Sequence, residues 1–169
     1  GYMTFKNTKI GDTGFANIMK SFRNGNVSST DGGYNKIPYQ AFYDCTALTT
    51  ADLSNVKTLD SYGSETDLGI DESAFYGCTS LANVSLGTNL TNIGNTAFAN
   101  CTSLANVNVL RGVAPSCPLS AFLNVTPNKC TVTFASAASR TGPFDGSYSN
   151  FTTATGYRTY YDGAGFQYL

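Results

Sequence analysis

No histidine occurs anywhere in the 169 residues. That absence removes the commonest general base, the commonest metal ligand and every Ser-His or Cys-His nucleophile pair. Charge is scarce as well. Asp, Glu, Lys and Arg make up 12% of the chain and sum to a net charge of -1, against roughly a quarter charged in an ordinary soluble domain. No run of Lys or Arg forms a basic stripe, so the chain has no electrostatic footprint for a phosphate backbone, and nucleic acid is not an expected partner. There is also no stretch of about 18 consecutive apolar residues, and no charged segment followed by a short apolar one, so the sequence contains neither a transmembrane segment nor a signal peptide. The five cysteines are an odd count, which does not divide into a disulfide framework.

What fills the chain instead is Thr, Asn, Ser and Gly between apolar residues that make up 41% of the total. The length suits one cooperative domain and is short for two. Three segments repeat in register: Ile37-Pro-Tyr-Gln-Ala-Phe-Tyr-Asp-Cys45-Thr-Ala-Leu48, Ile70-Asp-Glu-Ser-Ala-Phe-Tyr-Gly-Cys78-Thr-Ser-Leu81 and Ile93-Gly-Asn-Thr-Ala-Phe-Ala-Asn-Cys101-Thr-Ser-Leu104. Each Leu is followed by an alternating pair: Ala51 and Leu53, Val84 and Leu86, Val107 and Val109. Alternation of this kind predicts a short strand with one buried face. Phe75 and Phe98 are 23 residues apart and Phe98 and Phe122 are 24, whereas Phe42 and Phe75 are 33 apart. The extra length, about ten residues, is expected as a loop in the polar segment near 57–66.

Two weaker copies flank these. Upstream, Ile10 to Ile18 puts Gly14 at the Ala position, Phe15 at the Phe position and Ile18 at the Cys position. Downstream, Cys117 to Val125 puts Cys117 at the Ile position and Val125 at the Cys position, with Val132 and Phe134 as the strand pair. Interchange of Cys with Ile and Val marks these positions as buried apolar sites, because an unpaired Cys packs as a small hydrophobe. Cys45, Cys78 and Cys101 are therefore expected as a ladder of buried, reduced thiols. Cys130, which follows Lys129 outside the pattern, is the cysteine left open to partial exposure.

The pattern Ile-x-x-x-Ala-Phe-x-x-Cys-Thr-x-Leu resembles the BspA-like leucine-rich repeat of bacterial surface proteins and of surface proteins of some parasitic protists. The resemblance covers roughly Ile10 to Phe134. It implies an α/β repeat fold: a right-handed leucine-rich-repeat solenoid with short parallel strands on one face, here about four to five coils, and no catalytic residues common to the family. It also implies an extracellular or cell-surface location, any signal peptide lying outside these residues, and adhesion to a protein or glycan of a host or neighbouring cell. The chain then reads as one domain over 1–169, with a degenerate coil and edge over 1–36, repeats over 37–134 and a C-terminal aromatic cap over 135–169. Within the cap, Tyr157 to Tyr161 and Phe166 to Leu169 flank a Gly-containing turn and predict a hairpin, and 135–140 reads as a short helix. At the other end, Tyr2 and Phe5 are expected to cover the first coil.

Strand positions facing away from the core offer the first candidate contact surface: Thr50 and Asp52, Asn83 and Ser85, Asn106 and Asn108, Thr131 and Thr133. All eight are small and polar, without an aromatic to stack a sugar or anchor a protein. Tyr62 in the insertion and Tyr157, Tyr160 and Tyr161 near the C-terminus supply larger contact area at low entropy cost. A structural spacer with no ligand is the alternative. Carboxylate chemistry, as in glycoside hydrolysis, would have to come from Asp67, Asp71 or Glu72, which read as solvated turn acids. The spacing of Asp60, Glu65, Asp67 and Asp71 is not that of a calcium loop, and no metal or cofactor is expected. The six Asn-x-Ser/Thr triplets, at Asn26, Asn83, Asn89, Asn100, Asn124 and Asn150, follow from an Asn- and Thr-rich composition.

Overall fold

The computed structural model describes residues 5–24, 36–54, 69–88, 90–110, 115–125, 130–134, 159–161 and 167–168. The alternating segments form strands: β2 (Thr50–Leu53), β4 (Asn83–Leu86), β6 (Asn106–Val109) and β7 (Thr131–Phe134) lie side by side in parallel. Ala51, Val84, Val107 and Val132 stand opposite one another and are buried, as are Leu53, Leu86 and Val109. Period-two alternation turns the intervening polar residues to the other face. The Ile of each copy heads a second, shorter parallel sheet of β1 (Lys36–Ile37), β3 (Gly69–Ile70) and β5 (Asn92–Ile93), which a single bridge from Asn92 to Ser116 continues.

Between the two sheets each copy makes a run of tight turns, and these stack too. Phe5, Phe42, Phe75 and Phe98 donate their amides to the carbonyls of Ala41, Ala74, Ala97 and Ala121 at 2.6–2.8 Å. Two residues on, Asn7, Asp44, Gly77 and Asn100 donate to Tyr43, Tyr76, Ala99 and Leu123 at 2.7–2.9 Å. The second set all hold positive φ, as does Asn124, with values of 54–71°. Each is the third residue of a turn closed by a bond from the Cys-position amide to the Phe carbonyl, and φ above zero at that place is what a type II turn demands. Asn, Asp and Gly tolerate it best. The chain places one of the three there in each of these five turns.

Stacked copies put stacked rings in the core. Phe42, Phe75, Phe98 and Phe122 are buried, with neighbouring centroids 5.2 Å apart and planes within 12°. Phe5 extends the column at 5.5 Å from Phe42, so of the two N-terminal aromatics expected over the first coil Phe5 does cover it, while Tyr2 lies outside the described residues. The upstream copy itself needs correction. Residues 12–24 form helix α1 (Asp12–Asn24) rather than the stacked turns of the other copies, and the place in the column falls to Phe5, not Phe15. Phe15 instead packs edge-on against Phe42 at 5.0 Å. Ile10-x-x-x-Gly-Phe15 imitates the repeat, but Phe15 lies inside α1, whereas Phe5 has the turn and the left-handed Asn7 that stacking requires.

The cysteines do more than fill volume. Cys45, Cys78 and Cys101 donate their thiols to the carbonyls of Phe5, Phe42 and Phe75 at 3.2, 3.1 and 3.2 Å, one copy back. Thr8 holds the equivalent place before them, and its hydroxyl donates to the Phe5 carbonyl at 2.7 Å. Cys130, left open from the sequence, is buried at 2% exposure. Thr131, which follows it, enters β7 opposite Asn106, and Cys130 lies close enough to Cys101 to add to the upward pKa shift that burial gives the Cys101 thiol.

Asp12 closes the start of the main sheet. In later copies the amides of Ala82 and Asn83 donate to the Thr49 carbonyl, and those of Ala105 and Asn106 to the Ala82 carbonyl. Thr49 and Thr50, the equivalent pair in β2, donate instead to Oδ1 of Asp12 at 2.8 and 3.0 Å, while the Thr49 hydroxyl donates to Oδ2 at 2.6 Å. A carboxylate thus replaces a peptide carbonyl. Partial burial works to raise the Asp12 pKa, but the bonds from Thr49 and Thr50 outweigh it and hold the value below 3.8. Its stabilising contribution is therefore complete above pH 3.8 and is lost as the pH falls through the lowered folded value. Asp12→Ala is expected to cost about 1–2 kcal/mol at neutral pH, as for the loss of a charged cap. Urea midpoints should show the gap between variant and wild type closing in acid. A gap that persists in acid would mean that the carboxylate is not the stabilising group.

The C-terminal residues that are described add backbone to the same sheet. β8 (Thr159–Tyr161) runs parallel to β7, and β9 (Gln167–Tyr168) pairs antiparallel with β8, Tyr160 facing Tyr168. The insertion near 57–66 and the expected helix at 135–140 lie outside the described residues.

Candidate interaction surfaces

Parallel register aligns the alternate strand positions into two rows. Thr50, Asn83, Asn106 and Thr131 stand opposite one another in the first, Asp52, Ser85, Asn108 and Thr133 in the second. Asp52 and Asn106 are exposed; Thr50, Asn83, Ser85 and Asn108 are half-buried. Within the first row the Asn106 amide donates to the Asn83 side-chain carbonyl at 2.8 Å. Asp52 accepts the Ser54 amide at 2.9 Å, which fixes its carboxylate at the end of β2.

Among the C-terminal tyrosines, register separates two that the sequence left together. Tyr160 stands opposite Val132, in the column of Ala51, Val84 and Val107, whereas Tyr161 stands opposite Thr133, in the column of Asp52, Ser85 and Asn108. Tyr62 and Tyr157 lie outside the described residues, as does Asp67. Asp71 is half-buried and Glu72 exposed, on consecutive residues of one turn run. Among the described residues no group of three or more Cys, Asp or Glu side chains could hold a metal ion, and no helix is long and apolar enough to cross a membrane.

A second surface was missed in the sequence. The residues that follow the Phe of the column form a row of their own, in which Ala99 is buried, and in two successive copies the residue is Tyr. Tyr43 and Tyr76 stack at 4.8 Å with planes 11° apart. Lys6 places its ammonium 4.3 Å from the Tyr43 ring centre and donates to Oε1 of Gln40 at 3.0 Å. Tyr39, on the preceding turn, is 55% exposed. Desolvation first, and then the charge of Asp44 and the phenols of Tyr76 and Tyr39, raise the Tyr43 pKa above 10.0. The available signal was Phe-Tyr at 42–43 and again at 75–76. Two aromatics one copy apart in that row must meet once the copies stack.

Opposite the Tyr row, on the inner side of the same turns, burial raises every cysteine pKa that moves. Cys78 is pushed up to about 12, with small additions from Cys45 and Asp44. Burial raises Cys45, Cys101 and Cys117 as well. Thiols held neutral and covered are poor nucleophiles and poor metal ligands.

Comparison with known proteins accords with this geometry. A family model described as BspA type leucine rich repeat region matches residues 2–66 and 64–144, in six copies. The match runs ten residues past Phe134, where the repeat pattern ceases to be readable by eye. No curated protein and no solved structure matches the chain. Stacked copies of one turn-and-strand unit, joined by parallel pairing, are what a repeat family of this kind implies, and this chain belongs to the BspA-type leucine-rich repeat family.

Proposed function

We propose that the chain is a non-catalytic module of a cell-surface or secreted protein, a right-handed solenoid of about four to five coils with an aromatic C-terminal cap, that binds a protein or glycan of a host or neighbouring cell. The observation that carries this reading is the register of the main sheet. It sets Thr50, Asp52, Asn83, Ser85, Asn106 and Asn108 in two rows along one extended face, the kind of surface that solenoids offer to partners. Tyr62, Tyr157, Tyr160 and Tyr161 belong to the same proposal as aromatic anchors. The family is generally an interaction fold rather than a catalytic one, which supports the non-enzymatic part. A spacer role is favoured by one specific contact: the Asn106 side-chain amide donates to the Asn83 side-chain carbonyl, leaving less of the face to recruit a ligand.

Immobilised protein presented with a panel of extracellular-matrix proteins and with a glycan array separates the two. Binding to at least one, weakened by Asp52→Ala or Asn106→Ala, is the expected result. Silence on both panels would assign the chain to the spacer role.

A further inference from the structure

No further inference is drawn: the strongest candidate, the N-terminal edge of the two sheets, where Pro38 lacks the amide that Asp71 and Gly94 donate to the preceding copy and Asp12 occupies the amides of Thr49 and Thr50, does only what the end cap of any repeat solenoid does, and nothing in the structure shows what would pair with it.

Discussion

Phe75→Ala is expected to lose about 3–5 kcal/mol of folding stability. Phe75 is buried between Phe42 and Phe98, both 5.2 Å away and nearly parallel, and touches Phe15 at 6.0 Å. Truncation removes the transfer energy of a buried ring, leaves a cavity that rigid stacked turns close poorly, and cuts the column in two. Ring pairs contribute beyond burial, at about 0.5–1.5 kcal/mol each. The loss is a large share of the roughly 5–15 kcal/mol that holds a domain together. Phe5→Ala, at the partly buried end of the column, should lose less, and the order of the two urea midpoints tests the geometry. A change below about 0.5 kcal/mol for Phe75 would place it outside the core.

The second large effect is kinetic. With its pKa near 12 rather than 9.0, Cys78 carries about a thousandfold less thiolate than an ordinary thiol at the same pH. Its sulfur is also buried beneath the Phe42 carbonyl. Titration of the native protein with a coloured disulfide reagent should leave Cys45, Cys78 and Cys101 unmodified, and all five thiols should react after denaturation. Cys45 should be the first of the three to label, because it stands at the N-terminal end of the ladder, against Phe5 and Thr8. Rapid labelling of all three in the native state would contradict the ladder.

Most of the core was legible because it repeats. Phe42, Phe75, Phe98 and Phe122, the Cys positions and the paired strand residues recur in the same order in successive copies, and apolar recurrence is a signal that one sequence can carry. The left-handed set was not legible, since Asn7, Asp44, Gly77, Asn100 and Asn124 look like polar variation until their shared φ is known. The Phe15 reading failed for a related reason: a match of side chains says nothing about whether the backbone turns. Asp12 was hidden because its role depends on which carbonyl β2 lacks, a matter of register. Of the contact surface, the sheet rows follow from alternation. The tyrosine stack needs the further fact that residues following the ladder Phe also superpose.

Seventeen residues separate Leu53 from Ile70, but seven separate Leu86 from Ile93, while sixteen separate Ile37 from Leu53, Ile70 from Leu86 and Ile93 from Val109. By loop-closure entropy, lengthening one connection from seven to seventeen residues costs roughly 0.8 kcal/mol, a fraction of what one missing ring would cost. An insertion within the turn run would instead displace the Phe column, the left-handed residues and the thiols together. Length variation is therefore cheap at one junction of each copy and prohibitive elsewhere, so new sequence can be accepted there without renegotiating the rest of the fold. The same junction is where a foreign peptide could be grafted with least loss of stability.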